Sequence, residues 1–437
     1  MDYSAFKPNV WIMNHYASNN ENLNGRHYTF AENLTQRGFK VSIICSSTIH
    51  NSDNIVETGK DGFVVKMTGK TPFVFIASSP YKTNSFDRIK NIISFARNVV
   101  KLKNKLCKAI GIPDVIIASS PHPLTCVAGL RIGRKLKVPV IVEIRDLWPE
   151  AIFFYGTIKP NGLAGRVLAA SERQIYRKAN ALIFTKEGDV DYIKENRWDK
   201  DQGGDISLDK CFYINNGVNL ARFDQHIIEN RFDDKDLEND GLFRVIYTGA
   251  IRQVNDVGQI LDCAVLLKKF PQIRFLIYGE GNQLETLTKR VEDEQLHNVV
   301  LKGFVERKYI PYILSKSSVN LLNYSQSKYN WMRGNSSRKL FEYMASARPI
   351  ISTVKMGYSL IEKYKCGVEL DTCTPEIFAK AVLKLYDMSE EDYYKMCENA
   401  RKGASDFDFD ILSKKLINVI NYVLKCLAMS KRRKNIN

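Results

Sequence analysis

The run Asn335, Ser336, Ser337, Arg338, Lys339, Leu340, Phe341, Glu342, Tyr343, Met344, Ala345, followed by Arg348, Pro349, Ile350 and Ile351, joins a helix start to a buried strand. Ser336 or Ser337 can cap that helix, leaving backbone N–H groups free at the positive end of its dipole. Such an end binds anions, and Lys339 adds a full charge beside it. Glu342 follows Lys339 by three residues, so the two share a face, separated by a rise of about 4.5 Å. A cation for phosphate and a carboxylate for a diol suit the diphosphate and ribose of a nucleotide. A capped amphipathic helix with a surface ion pair has the same pattern, so the rest of the chain must decide.

Apolar runs and helical patterns alternate outward from this helix. In the second half the strand-like runs are Phe243–Tyr247, Phe275–Tyr278, Val299–Leu301, Val319–Leu322 and Ile350–Thr353. In the first half they are Val10–Met13, Val41–Cys45, Val115–Ala118, Val138–Val142, Ala181–Phe184 and Cys211–Ile214. This alternation implies βαβ units and parallel sheets. At 437 residues the chain is too long for one ordinary core. The expected fold is α/β: two Rossmann-like doubly wound domains facing each other across a cleft, with ligands at the carboxyl ends of the strands. Residues 229–241 are acidic and almost without apolar side chains, and read as a linker. The expected domains are therefore 1–228 and 242–408. Residues 409–437 are expected to form a C-terminal helix returning to the first domain, with a basic tail.

The composition is globular, with 44% hydrophobic and 26% charged residues. No stretch approaches the roughly 20 apolar residues needed to span a bilayer, and Met1-Asp2-Tyr3 begins no export leader. Nine cysteines stand singly, an odd count that indicates neither a disulfide framework nor a zinc site, and points to a reducing cytoplasm. No metal site is expected. The net charge of +16 calls for an anionic partner. Between Lys82 and Lys108 eight cations face only Asp87, interleaved with Phe86, Ile89, Ile92, Ile93, Ala96, Val99, Val100 and Leu106 at helical spacing. Such a helix can lie on an anionic membrane surface, or turn its apolar stripe to the core. No nucleic-acid-binding motif accompanies the charge, so nucleic acid is not an expected partner.

Several constellations fall at strand ends. Tyr247-Thr248-Gly249-Ala250-Ile251-Arg252 ends one strand in a glycine turn, where Gly249 admits a ligand to the backbone and Arg252 offers a forked donor to phosphate. Gly279-Glu280-Gly281 and Gly303-Phe304-Val305 end the next two strands in the same way, converging on one rim. In the first half, Asn24-Gly25-Arg26-His27-Tyr28 opens onto a helix and can contact a diphosphate or an acceptor. Ser120-Pro121-His122-Pro123 is a second such loop, its histidine fixed between prolines. Glu143-Ile144-Arg145-Asp146-Leu147-Trp148-Pro149-Glu150 crowds functional groups at a strand end. Asp146 and Glu150 are candidates for acid/base work or for an acceptor hydroxyl, unless they pair with Arg145.

On these residues the chain resembles the family-4 retaining glycosyltransferases of the GT-B fold, within them the group that makes O-antigen and capsular polysaccharide. The resemblance is carried by Arg145-Asp146-Leu147-Trp148-Pro149-Glu150, Asn216-Gly217-Val218-Asn219 with Phe223, Arg252 with Asn255, Gly279-Glu280-Gly281, and Ser336 to Ala345. It implies that Glu342 binds the nucleotide ribose and that Arg252 steadies the diphosphate. It also implies a nucleotide-diphosphate sugar, UDP-linked, as co-substrate in place of a cofactor. It further implies that transfer retains anomeric configuration, while the basic amphipathic segment Phe86–Ile110, in the half expected to bind acceptor, leads us to expect a lipid-linked saccharide acceptor at the cytoplasmic face of the membrane. Two positions depart from the family pattern. Its first glutamate falls at Gly334, leaving the donor sugar to Asn335 or its backbone, and the lysine expected a few residues after Arg252 is missing, with Lys339 as substitute. A nucleotide-sugar 2-epimerase, or a non-catalytic membrane scaffold, would share the architecture.

Overall fold

The computed structural model describes residues 7–17, 25–49, 54–81, 86–120, 122–154, 156 and 158–436. Asn24, Lys82 and Pro121, named above, lie outside the described residues. The chain divides into two compact units, Met1–Asn215 with Phe409–Asn437, and Asn216–Asp408.

The first unit is built on a sheet of β1 (Asn9–Met13), β2 (Lys40–Ser46), β3 (Phe63–Thr68), β4 (Thr71–Ile76), β5 (Val115–Ser120), β6 (Val140–Ile144), β7 (Ala181–Phe184) and β8 (Cys211–Tyr213). Their spatial order is β3-β4-β2-β1-β5-β6-β7-β8. Only β3 and β4 pair antiparallel. That hairpin was not legible in the sequence because Pro72 interrupts it, and a proline argues against a central strand. In the structure Pro72 precedes the first residue of β4 that pairs with β2, Phe73, so no ladder bond of β2 is lost. The C-terminal helix Phe409–Ile436 belongs to this unit. Phe409 meets Phe30 edge-on at 5.3 Å, Asn33 donates to the Ser413 hydroxyl at 3.0 Å, and Arg37 pairs with Asp410.

The second unit carries β9 (Phe243–Thr248), β10 (Ile273–Tyr278), β11 (Val299–Gly303), β12 (Val319–Leu322), β13 (Ile350–Ser352) and β14 (Gly367–Glu369), all parallel. Their order is β11-β10-β9-β12-β13-β14, so the chain reverses direction across the sheet between β9 and β12. In the first unit the same reversal falls between β1 and β5. In such sheets ligands bind outside the carboxyl ends of the strands at that switch point, which directs attention to two places.

The acidic stretch 229–241, read as a linker in the sequence, is folded into the second unit. Asp234 is buried, accepting from Lys302 at 2.6 Å and from the Tyr278 hydroxyl at 2.9 Å, while Asp236 accepts from Lys302 at 2.7 Å. These bonds fix the short helix Lys235–Glu238, and Leu237 is fully buried beneath it. The chain divides earlier, at Asn215/Asn216. From there Val218 bonds to the Phe407 carbonyl and Leu220 to the Asp408 carboxylate, tying the segment to the second unit.

The basic stretch forms the helix Phe86–Ile110. Asn91, Phe95, Val99 and Leu106 face the core, so most of the apolar stripe is spent on packing. Its first turns keep Phe86 70% exposed and Ile89 and Ile93 each 51% exposed, among Lys90, Arg97 and Lys101.

Candidate active site

At the switch point of the second unit β9 ends in Thr248, and Gly249 follows it. The three glycine turns are laced together by backbone bonds: Gly249 N–H to the Tyr278 carbonyl at 2.9 Å, Gly279 N–H to the Gly303 carbonyl at 2.7 Å, and Ile251 N–H to the Glu280 carbonyl at 2.9 Å. A Cβ on Gly279 would lie 1.8 Å from the Gly249 carbonyl oxygen, and one on Gly281 would lie 2.2 Å from that of Ile251. Both glycines are therefore needed by neighbouring backbone. Val305 is half-buried in the loop after β11.

The helix Arg338–Ala345 is anchored by the Tyr343 hydroxyl, which lies 3.2 Å from both the N–H and the carbonyl of Thr248. Ser337 occupies the N-cap, yet its hydroxyl makes no capping bond. It accepts instead from the Tyr324 hydroxyl at 2.7 Å. Asn335 is buried, and its Oδ1 accepts from the Ser337 N–H at 2.6 Å, so its side chain shapes the turn. The Ser336 carbonyl accepts from Asn216 Nδ2 at 2.6 Å.

Lys339 runs from this helix across Gly249, where a Cβ would meet its Cδ at 3.2 Å. Gly249 thus makes room for the lysine stem. The ammonium ends 4.3 Å from the Tyr324 ring centre, 4.8 Å from that of Tyr247, and 3.5 Å from the Tyr247 hydroxyl. It forms no ion pair among the described residues, and burial pulls its pKa down to about 7. The full charge expected here is therefore a half-populated one, supported by ring faces alone. Arg252 is exposed and opens the short turn Gln253–Asn255, its guanidinium unpaired among the described residues. Asn255 is buried and donates to the Ala250 carbonyl at 2.6 Å, so it holds the Arg252 loop in shape. Glu342 is bound by Arg307 Nη2 at 2.6 Å, a partner that its sequence neighbourhood does not show.

In the first unit Gly25 caps the helix Arg26–Gln36, and a Cβ there would meet nothing within 4 Å. Arg26 is buried, with its guanidinium held inside the unit. Its Nε donates to Glu143 at 2.9 Å and its two Nη to the carbonyls of Asn215 at 2.5 Å and Ile214 at 2.8 Å. Glu143 also accepts from Ser119 at 2.7 Å and pairs with His27 at 2.9 Å. Arg26 and His27 hold the Glu143 carboxyl well below the usual carboxylate range against its burial. Glu143, which opens the strand-end run named in the sequence but was given no role of its own there, is the hub of this end of the sheet. Asp146 is exposed and lies 3.6 Å from the buried ammonium of Lys186, which also faces Asp189 at 3.7 Å. Lys186 and Asp189 were missed because they follow β7, far from Asp146 in sequence and next to it only in the parallel sheet. Glu150 is half-buried in the first turn of the helix Trp148–Phe154.

Residues 27–202 match the family described as glycosyl transferase 4-like domain, and residues 229–403 match glycosyl transferases group 1. The chain is built from the two domains of a group 1 glycosyltransferase. A Bacillus subtilis (strain 168) protein described as "putative teichuronic acid biosynthesis glycosyltransferase TuaH" is 23% identical over 285 residues. That match covers 64% of this chain and 66% of the relative, just under two thirds of its length. Among solved structures, Anabaena Alr3699/HepE in complex with UDP and glucose superposes with a TM-score of 0.64 at 12% identity, covering 95% of this chain and 99% of that one. WaaG, a glycosyltransferase involved in lipopolysaccharide biosynthesis, gives a TM-score of 0.63 at 14% identity, covering 94% and 99%. These likenesses establish the two-domain α/β GT-B fold.

One departure of this glycosyltransferase from its family pattern has a conformational cause. Gly334 closes the turn Trp331–Arg333 at φ 95° and ψ −168°, a region that L side chains rarely adopt. A glutamate there would be strained by the backbone itself.

Proposed function

We propose that this glycosyltransferase moves a sugar from a UDP-linked donor to a saccharide acceptor in surface polysaccharide synthesis. The observation that carries the reading is Lys339, seated over Gly249 at the switch point with no carboxylate pairing it among the described residues. Beside it are the exposed Arg252 loop and the N-terminus of the helix Arg338–Ala345. These are groups for a diphosphate, and Lys339 takes the place of the lysine missing after Arg252. Glu342 then receives the ribose diol, releasing Arg307.

In the reaction an acceptor hydroxyl forms a bond to the anomeric carbon as the bond to the diphosphate breaks. Negative charge grows on the departing phosphate oxygen, where preorganised cations and helix amides stabilise the transition state most. That oxygen takes the acceptor proton, so attack from the same face retains configuration. Asp146, braced by Lys186, orients the acceptor hydroxyl. The teichuronic acid role of TuaH and the lipopolysaccharide role of WaaG support a lipid-linked acceptor. So does the exposed apolar and cationic start of the helix Phe86–Ile110, which suits an anionic membrane surface at the cytoplasmic face. No helix among the described residues is long and apolar enough to cross a membrane.

The test is a screen of UDP-sugars against lipid-linked saccharides with mass detection of the product. Transfer to an acceptor is expected. Failure of UDP to bind in calorimetry, or conversion of the donor to an epimer without acceptor, would overturn the reading.

A further inference from the structure

One strand along from the switch point of the first unit, β5 and β6 end side by side, with Ser120 opposite Ile144. The Ser120 hydroxyl accepts from the Arg145 N–H at 3.1 Å and ties the two strand ends together. Ser120 and Ile144 line a cavity with about 10 Å³ of room, enough for one water-sized group. Its wall is mostly carbon, with Pro123 and Trp148 opposite Tyr176 of the helix Leu163–Lys178. Asp146, whose side chain is 55% exposed, brings the cavity to the surface.

Glu172, only 7% exposed, lines the same cavity. Its Oε1 accepts from the Tyr176 hydroxyl at 2.8 Å, whereas Oε2 has no hydrogen-bond partner among the described residues. A buried polar atom without a partner is costly and rare, and calls for a cause. Lys186 directs its charge to Asp146 at 3.6 Å and Asp189 at 3.7 Å. Burial raises the Glu172 carboxyl to about 7, opposed by Tyr176 and Tyr192 and reinforced by Glu150 and Asp189. The acids around it therefore favour an arriving positive charge. A buried water typically makes about three hydrogen bonds, and walls of carbon withhold them. A sugar substituent instead brings its own carbon skeleton to Pro123 and Trp148, and needs one acceptor.

We propose that this cavity is a subsite for one hydrogen-bond-donating substituent of the acceptor sugar, a hydroxyl or an ammonium, seated on Glu172 Oε2. The inference rests on the glycosyltransferase reading, in which Asp146 orients the acceptor, and adds a specificity residue to it. Asp146 and Glu172 line one cavity and so grip one sugar ring at two points. A hydroxyl donates to the carboxyl in either protonation state, whereas an ammonium selects the ionised form.

The test uses the full chain saturated with UDP. Methyl glycosides of glucose and galactose, their monodeoxy forms and their 2-amino and 6-amino analogues are titrated by saturation-transfer NMR. In the wild type one deoxygenation should weaken binding by about ten-fold, the scale of one hydrogen bond. In E172L the parent glycoside should already be weaker by that factor, and the same deoxygenation should cost nothing further. E172Q keeps an amide oxygen without the charge. A hydroxyl occupant should still bind it, whereas an amino analogue that outbinds its hydroxyl parent on the wild type should lose that advantage. UDP binding and cooperative melting show that both variants fold. Equal glycoside affinity of wild type and E172L, or a deoxygenation penalty undiminished in E172L, overturns the proposal and leaves the cavity to an ordered water only. So does a wild type that binds UDP and none of these glycosides. A wild type that binds no UDP is instead a failure of the glycosyltransferase reading itself.

Discussion

Arg307 Nη2 lies 2.6 Å from Glu342 Oε1, so the carboxylate that the sequence offers to a ribose is held by a cation before any ligand arrives. The pair is partly exposed, at 32% and 19% of the two side chains. Such pairs contribute at most about 1 kcal/mol, so a buried diol can displace one. Glu342→Ala should therefore weaken UDP binding by roughly 1–3 kcal/mol, and Arg307→Gln by less than about 1 kcal/mol. Calorimetry with UDP separates the two. Equal losses would mean that Glu342 serves only to hold Arg307.

On the proposed reading Lys339 couples UDP binding to proton uptake. Its folded pKa is about 7, against about 10.4 in an unfolded chain. Between those values the unfolded state binds more protons, so this residue makes stability rise with pH through that window. Lys339→Met should be more stable than the wild type at pH 7 and should flatten that slope, read by thermal unfolding. At pH 8 the free lysine is mostly neutral, and a diphosphate recharges it. UDP binding should then take up close to one proton, measured from the dependence of binding enthalpy on buffer, and Lys339→Met should abolish the uptake.

Glu172 has the opposite sign. Burial raises its carboxyl to about 7, above the ordinary carboxylate range, although the Tyr176 hydroxyl donates to it at 2.8 Å. The folded state holds the proton where the unfolded state has released it, so the penalty is absent below about pH 4 and full above about pH 7. Glu172→Gln should gain up to about 3 kcal/mol at pH 8 relative to its effect at pH 4. Urea unfolding at the two pH values checks this, and an equal effect at both would rule it out.

Restoring the family glutamate at Gly334 should fail. The φ of 95° makes any side chain costly there, so Gly334→Glu is expected to destabilise the chain by about 1–3 kcal/mol without tightening UDP-sugar binding. Chemical denaturation and calorimetry give the two readings.

The proposed membrane attachment rests on the start of one helix. Lys105 is already paired with Asp61 at 2.9 Å, whereas Lys101 is exposed and Phe86, Ile89 and Ile93 stand free of the core. Charge reversal at Lys101 and Lys103, or Phe86→Ser with Ile89→Ser, should release the protein from anionic vesicles in a flotation assay. Unchanged flotation of both variants would end the membrane assignment.

Alternation of apolar runs and helices was enough to specify two parallel α/β sheets, because the period of hydrophobicity is written along the chain. The same local information placed Gly249, Arg252 and Lys339 on one rim, since strand ends in such sheets share an edge. It failed wherever a residue is defined by a partner distant in sequence. Arg26 read as a ligand-facing cation until Glu143 was seen to neutralise it, and the acids of 229–241 read as a linker until Lys302 and Tyr278 were found beneath them. Glu342 acquired Arg307 in the same way. Sequence determines which groups are available and at which strand ends they stand. Charge state, free valence and accessibility are set by burial and by through-space neighbours, and only the folded chain brings those together.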